Sequence, residues 1–201
     1  MKLKSLICFV VMSIVSHSSS SLLHAASQES IKKLEALLPR KSVAESSALD
    51  LSGVDMRAYD LCAPKKGESI DFGKANLKGA NFAGMEICNV DFEGANLEQA
   101  NFEGATITKC NFRHVTGPAN FTRASIKNTG FNHSKLGASL FTHATLESTG
   151  FDSSDLRNIN FNHATLFQVN FYKADLTGYS HDGTRMDRTS FERSIGAGWL
   201  D

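Results

Sequence analysis

Residues Ala95 to Phe112 read "ANLEQANFEGATITKCNF", in which a small residue, a polar residue that is usually Asn and a large apolar residue return every five positions. This period matches neither regular element, because a helix buries positions about 3.6 apart and a strand buries alternate positions. We call the large apolar residue the centre of each unit. A fixed period of this kind indicates a repeat architecture.

The centres recur along most of the chain, in three runs. They fall at Leu51, Met56 and Leu61; at Phe72, Leu77, Phe82, Ile87, Phe92, Leu97, Phe102, Ile107 and Phe112; and at Phe121, Ile126, Phe131, Leu136, Phe141, Leu146, Phe151, Leu156, Phe161, Leu166, Phe171 and Leu176, fading through His181, Met186 and Phe191. The first break contains the polar, turn-rich insert "PKKGES" (Pro64 to Ser69), and the second contains "VTGPA" around Gly117 and Pro118.

The units "ANLKG", "ANFAG", "ANLEQ", "ANFEG" and "ADLTG" resemble the pentapeptide-repeat family, and the resemblance covers residues 49 to about 195. It implies an all-β fold, a right-handed quadrilateral parallel β-helix with one pentapeptide per side and about twenty residues per coil. The centre and the small residue two positions before it then point inward, and the other three point outward. Residues 49–201 are therefore predicted to form the solenoid with its C-terminal cap.

Phe alternates with Leu or Ile as the centre, so a four-sided coil should carry Phe on two opposite faces. One Phe face is expected to stack Phe82, Phe102, Phe121, Phe141 and Phe161, and the other Phe72, Phe92, Phe112, Phe131, Phe151 and Phe171. The excess of Phe is thereby explained as core, because eleven of the fourteen Phe fall on these two faces and burying each contributes about 1.5–3 kcal/mol. The alternation persists across both breaks if Pro64–Ser69 loops out and one residue is deleted at Gly117–Pro118. Either break can be functional or a tolerated irregularity.

The N-terminus is typical of an export signal. Lys2 and Lys4 precede the apolar run "SLICFVVMSIV" (Ser5 to Val15), which is too short to span a bilayer, and Ala25 offers a small residue for cleavage. We predict a signal peptide at 1–25, with an uncleaved membrane anchor as the alternative. Residues 26–48 are predicted to hold a short capping helix and a linker, because "QESIKKLEALL" (28–38) has helical apolar spacing; a loosely ordered linker is the alternative.

The sequence contains no phosphate-binding loop, paired-cysteine motif or nucleophile elbow, so neither an enzyme nor a bound cofactor is predicted. His143 and His163 should stack one coil apart on one face, and His114 and His133 on the opposite face. Two imidazoles without a third ligand make a weak site. His143 and His163 are thus weak metal candidates, and solvated surface histidines are expected instead.

Several apolar residues fall at outward positions, namely Leu140, Phe167 and Tyr172, and Trp199 lies near the C-terminus. Exposed apolar groups close together can mark a contact surface. Trp199 and Leu200 can instead fold back over the last coil, because a solenoid end must cover its core and its strand edge. Capping and homodimerisation through this end both remain open.

Cys62 and Cys88 each follow a centre by one residue and are 26 positions apart, which is one coil of twenty plus the six looped residues. In this register they occupy the same outward position on adjacent coils, at roughly the strand spacing of 4.8 Å, within the usual range for a bridge. A disulfide between them is predicted, and two thiols that never pair are the alternative. Cys110 falls at an inward position and is expected to be a buried thiol.

Charge separates the two leading functions. Cleavage after Ala25 removes Lys2 and Lys4 from the 21 basic residues and leaves 21 acidic ones, a net charge of −2 for the mature chain. We predict a non-catalytic protein-interaction or structural module, exported to the periplasm or secreted by a bacterium, with an unidentified protein partner, no nucleic acid and no membrane contact after cleavage. The alternative implied by the family is a DNA mimic that binds gyrase, which requires a strongly negative rod in the cytoplasm.

Overall fold

The structure is a computed structural model that describes residues 49–57, 59–62 and 70–198. The predicted signal peptide, the capping helix, the Pro64–Ser69 insert and Trp199 lie outside these residues. The described chain forms an all-strand parallel β-solenoid, and it contains no helix. Within this part of the chain, no helix long and apolar enough to cross a bilayer is found.

Eight short strands are regular enough to be named. They are β1 (Ile70–Asp71), β2 (Glu86–Cys88), β3 (Val90–Asp91), β4 (Thr106–Thr108), β5 (Ser125–Lys127), β6 (Thr145–Glu147), β7 (Thr165–Phe167) and β8 (Arg185–Asp187). All pairs are parallel; β1 pairs with β3, and the others form one sheet in the order β2-β4-β5-β6-β7-β8. This sheet is one side of the solenoid, with one strand from each successive coil.

Isolated parallel bridges define the remaining sides. One column of bridges runs from Asp50 through Asn76 and Asn96 to Ile195, and another from Asp55 through Asn81 to Ser180. Each column lies one residue before a column of centres. The bridges and strands together place every centre on the side that the sequence predicted, so the quadrilateral arrangement is confirmed.

The two Phe columns fill the interior. Phe131 stacks on Phe112 at 4.8 Å and on Phe151 at 4.9 Å between ring centroids, and it meets Phe121 and Phe141 of the opposite column edge to face. Such pairs add about 0.5–1.5 kcal/mol each beyond area burial. Ten consecutive Phe centres, from Phe82 to Phe171, are at most 1% exposed, which confirms that the Phe excess is core.

Small inward residues make room for these rings. Ala is the commonest of them, and five are buried hydroxyl residues: Thr129, Ser134, Ser139, Thr149 and Ser154. The Ser154 hydroxyl donates to the Phe131 carbonyl oxygen at 2.8 Å, and the Ser134 amide donates to Ser154 Oγ. A buried hydroxyl is tolerated here because it has a partner.

The corners explain the Asn or Asp that precedes many of the centres. Its side-chain oxygen accepts the backbone N–H two residues later, as Asn96 Oδ1 does from Glu98 and Asn160 Oδ1 does from Asn162. These short polar side chains form such turns readily. The second residue after a centre adopts positive φ, as Gly104 (65°) and His143 (59°) do, and this conformation was not anticipated from the sequence.

Both register breaks have the predicted form. Residues 26 apart pair across the first break, as Leu61 does with Ile87, so six residues are extra there. Residues 19 apart pair after the second, as Asn101 does with Asn120, so one residue is missing. Gly117 takes the place of a Leu centre at this coil. A Cβ on Gly117 would lie 2.6 Å from the Glu98 backbone nitrogen, closer than a side chain allows.

Candidate interaction surface

Leu140 interrupts a ladder of amide side chains. It pairs with Asn120 of the coil before and Asn160 of the coil after, and below it the Asn120 amide donates to Asn101 Oδ1 at 3.2 Å. Leu140 is 42% exposed, whereas the neighbouring Asn residues are half-buried. An apolar side chain therefore protrudes from a side that is otherwise polar, as the sequence predicted. We call this side, defined by Asn120, Leu140, His143, Asn160 and His163, the Leu140 surface.

Two imidazoles border Leu140. His143 and His163 are exposed and stack with ring centroids 4.9 Å apart and planes 15° from parallel. Their positive φ, 59° and 58°, projects both rings from the same corner of successive coils. On the opposite side of the solenoid His114 and His133 stack in the same way at 5.2 Å. The predicted pairing of the four histidines is therefore present.

The charged group beside this pair is Arg123, which occupies the same corner one coil before His143. Its guanidinium Nη1 lies 3.0 Å from Glu103 Oε1. Across the described coils, no group of three or more His, Cys, Asp or Glu side chains is arranged to hold a metal ion. The histidine pairs consequently offer two ligands each, and metal binding by them stays untested.

Phe167 and Tyr172 point outward as predicted, but both are half-buried rather than exposed. The Arg188 guanidinium carbon lies 5.5 Å from the Phe167 ring centroid. Tyr172 has Lys173 Nζ 5.0 Å from its ring centroid and accepts a hydrogen bond from Arg193 Nη1 at 3.0 Å. Cation–π contacts of this kind partly cover the two rings, and neither ring is exposed to the same fraction as Leu140.

Ile195 was not singled out by sequence reasoning, although it is 62% exposed near the C-terminal end. It stands where Asp175 and Asp155 stand in the preceding coils. Ile195 could have been recognised from the sequence, because an apolar residue stands there at a position where most of the earlier coils carry Asp or Asn. Trp199, the fourth predicted contact residue, lies outside the described residues.

Asp152 is the most unusual carboxylate. It lies on the same side as His133, and its Oδ1 atom is buried with no hydrogen-bond partner in the described part of the chain. Burial raises the pKa of the Asp152 carboxyl above its ordinary value, and the nearby His133 lowers it in part. An ionised Asp152 therefore costs folding free energy.

Cys62 and Cys88 lie side by side next to the Leu61–Ile87 bridge. Their Cα atoms are 4.6 Å apart, and a disulfide joins them in the structure. Whether the bridge forms in the exported protein stays a prediction. Cys110 is a buried thiol that contacts the Ile87 and Thr108 carbonyl oxygens, and burial raises its pKa to about 11.

These features define a class of protein, the parallel β-solenoid with polar ladders on its outer sides. The family model described as pentapeptide repeats matches residues 75–113 and 146–178 in eight copies. The matched stretches are pentapeptide repeats, and the chain is similar to proteins of that family over these residues. No curated protein sequence shows significant similarity to it.

Solved structures of pentapeptide-repeat proteins resemble the chain at low sequence identity. QnrB1, a plasmid-mediated fluoroquinolone resistance protein, is 18% identical over 70% of this chain and 78% of its own, with a TM-score of 0.47. A pentapeptide repeat protein of the Arabidopsis thaliana thylakoid lumen is 25% identical over 58% of this chain and 65% of its own, with a TM-score of 0.36. HetL of the cyanobacterium Nostoc, involved in regulating heterocyst differentiation, is 12% identical over 85% of this chain and 98% of its own, with a TM-score of 0.27.

Proposed function

We propose that this protein is an exported, non-catalytic solenoid that binds a protein partner through the Leu140 surface. The observation that carries the proposal is the 42% exposure of Leu140 within a ladder of Asn side chains. An Asn at this position would accept the Thr142 N–H and continue the ladder, as Asn160 does for Asn162. Leucine forgoes both contacts, so folding alone does not favour it here.

The chemistry around Leu140 suits a protein contact. Apolar groups that anchor protein interfaces are surrounded by polar groups able to form hydrogen bonds, and Thr142, His143, Asn162 and His163 supply such groups. The rigid stacking of the coils presets their spacing, which reduces the entropy lost on binding.

Export is part of the proposal and rests on the sequence. The basic start at Lys2 and Lys4, the apolar run Ser5–Val15 and the small residue Ala25 support a cleaved signal. A disulfide between Cys62 and Cys88 suits an oxidising compartment. The periplasm and the extracellular medium both meet this requirement.

The test is a pull-down with the tagged mature protein from envelope and culture fractions. Leu140→Asn removes the apolar anchor and completes the ladder, so we expect it to fold at least as stably as the wild type and to lose the partner. Thr145→Asn is the matched control, because Thr145 is an exposed residue at the equivalent position of the adjacent side. If both variants recover the partner equally, Leu140 is not part of the interface. If the wild type captures no partner, the proposed binding function is contradicted.

The gyrase-binding alternative predicts a different outcome in the same experiment. It requires a uniformly acidic surface, whereas ion pairs such as Lys78–Glu98 and Lys127–Glu147 place both signs along the coils. The net charge of −2 expected for the mature chain is small. Recovery of gyrase by correctly localised protein would favour the gyrase-binding function over the exported interaction module.

The C-terminal end is proposed as a contact between two copies of the chain. Ile195 is 62% exposed there, and Met186, a centre of the last complete coil, is only half-buried. Sedimentation of the wild type and of Ile195→Asp distinguishes the two roles of this end. A dimer that the variant abolishes supports self-association, and a monomeric wild type supports a cap.

A further inference from the structure

The first coil, of which Leu49–Cys62 form three sides, differs from every later coil in how it joins the solenoid. Residues 63–69 separate these three sides from the fourth side of the same coil, Ile70–Asp71, whereas the chain runs through the later coils without such an insert. On the side that holds β2, the first coil contributes only the isolated Leu61–Ile87 bridge, whereas later coils contribute strands of three residues. We call the contact between residues 49–62 and the second coil the first junction. An insert interrupts the chain beside it, and its strand pairing on the β2 side is shorter than in later coils.

Backbone hydrogen bonds across the junction are nevertheless well formed. The Asn76 amide donates to the Leu49 carbonyl oxygen at 2.8 Å, and the Asn81 amide donates to the Val54 carbonyl oxygen at 2.9 Å. In the next coil the Asn96 and Asn101 amides make the equivalent bonds to Ala75 and Ala80, both at 2.9 Å. These two pairs of amides report separately on the first junction and on the second.

Within the described residues, the first coil has a neighbouring coil on one side only. In a solenoid each coil is stabilised by its two neighbours, so a terminal coil opens more readily than an interior one. The Tyr59 hydroxyl is buried and has no hydrogen-bond partner within the described ranges, which is a cost carried by this coil. Arg57 pairs with Asp55 of its own coil, so that ion pair does not cross the junction.

We propose that the Cys62–Cys88 disulfide is a redox-sensitive latch that holds the first coil on the solenoid, and that its reduction releases this coil alone. The bond joins the two coils directly, with Cα atoms 4.6 Å apart and 26 residues between them in sequence. Closing a loop of this length removes much of the freedom that an opened first coil would gain. Release uncovers the edge of the second coil, including Leu77, Phe82 and Ile87, which are now fully buried.

The reductant is a dithiol. One of its thiolates attacks a sulfur of the bridge and forms a mixed disulfide, and its second thiol then displaces the remaining cysteine. Two electrons and two protons pass from the dithiol to Cys62 and Cys88, which become thiols, and the dithiol becomes a disulfide. Cys110 takes no part, because it is buried in the core.

The experiment is hydrogen exchange of the mature protein, oxidised and then reduced with dithiothreitol, read at single amides. On reduction we expect the protection of the Asn76 and Asn81 amides to fall on the order of 100-fold, while Asn96 and Asn101 keep theirs. The double variant Cys62→Ser with Cys88→Ser should show the reduced pattern without reductant and should not respond to it. Cys110→Ser is the control and should respond like the wild type.

Three results would overturn the proposal. The first is protection of all four amides that does not change on reduction, which would mean that the bridge does not hold the first coil in place. The second is loss of protection throughout the solenoid, which would mean that the first coil is not a separate unit. The third is a wild type whose Cys62 and Cys88 are both reduced as isolated from its export compartment.

Discussion

Phe131 stacks on Phe151 of the next coil with ring centroids 4.9 Å apart and planes 7° from parallel. The side chain that follows it, Asn132, points outward and accepts the Asp152 amide N–H at 3.1 Å. Two residues adjacent in sequence thus lie one in the core and one on the surface. The five-residue repeat specifies which positions point inward and which point outward.

Replacing Phe131 by Ala should destabilise the solenoid by about 3–5 kcal/mol, because it leaves a cavity between four rings. Asn132→Ala should cost only about 1 kcal/mol, since it removes one hydrogen bond to a backbone amide. Chemical denaturation of both variants measures the difference. Equal losses would show that the inward and outward assignments are wrong.

Asp152→Asn should stabilise the protein at pH 7. The folded-state pKa of Asp152 is raised by burial, so the ionised carboxyl is less favourable in the folded protein than in the unfolded chain. The penalty is present above the folded pKa and disappears below the unfolded value of about 3.9. Thermal melts at pH 7 and pH 3 should therefore show a gain for the variant that vanishes in acid.

Asp155→Asn is the matched comparison and should have the opposite sign. A hydrogen bond from Arg157 holds the pKa of Asp155 below its usual range, with the two groups 2.6 Å apart. Its charge therefore contributes stability that is present above the unfolded pKa and is lost as the pH falls through the folded pKa. We expect a loss of no more than about 1 kcal/mol at pH 7, since the pair is near the surface. A stabilised Asp155→Asn would contradict this assignment.

Zinc should bind the mature protein no more tightly than micromolar. His143 and His163 are exposed and stack in parallel, and two imidazoles complete only half of a tetrahedral site. Calorimetric titration measures the affinity, with His163→Ala as the control. A tight site that this variant abolishes would establish metal binding at the histidine pair.

Alkylation of denatured, non-reduced mature protein followed by mass spectrometry tests the disulfide. We expect Cys110 to be alkylated and Cys62 and Cys88 to be protected, because their coils are adjacent and export favours oxidation. Prior reduction should make all three cysteines reactive. Alkylation of Cys62 in fully exported material without reduction would rule out the bridge.

Most of the fold was predictable because the burial of each centre follows from its own residue type and its position in the five-residue repeat. The position of Phe131 follows from counting in fives, and so does the pairing of Cys62 with Cys88 once six residues are assigned to the insert. The left-handed corner at His143 was not predicted, since non-glycine residues adopt positive φ only where the tertiary structure imposes it. Phe167 and Tyr172 were placed on the correct side, but their coverage by Arg188, Lys173 and Arg193 depends on side-chain conformation across coils.

The sequence by itself determined the period, the alternation of Phe with aliphatic centres, the size of both register breaks and the outward position of Leu140. Each of these depends on which residues are apolar and how far apart they lie, and that information is local. Only the tertiary structure decided which outward groups are accessible. Leu140 is 42% exposed and Tyr172 is half-buried, and Asp152 Oδ1 is buried without a partner among the described residues. These differences arise because the accessibility of an outward side chain is set by side chains about twenty positions away, on the neighbouring coils.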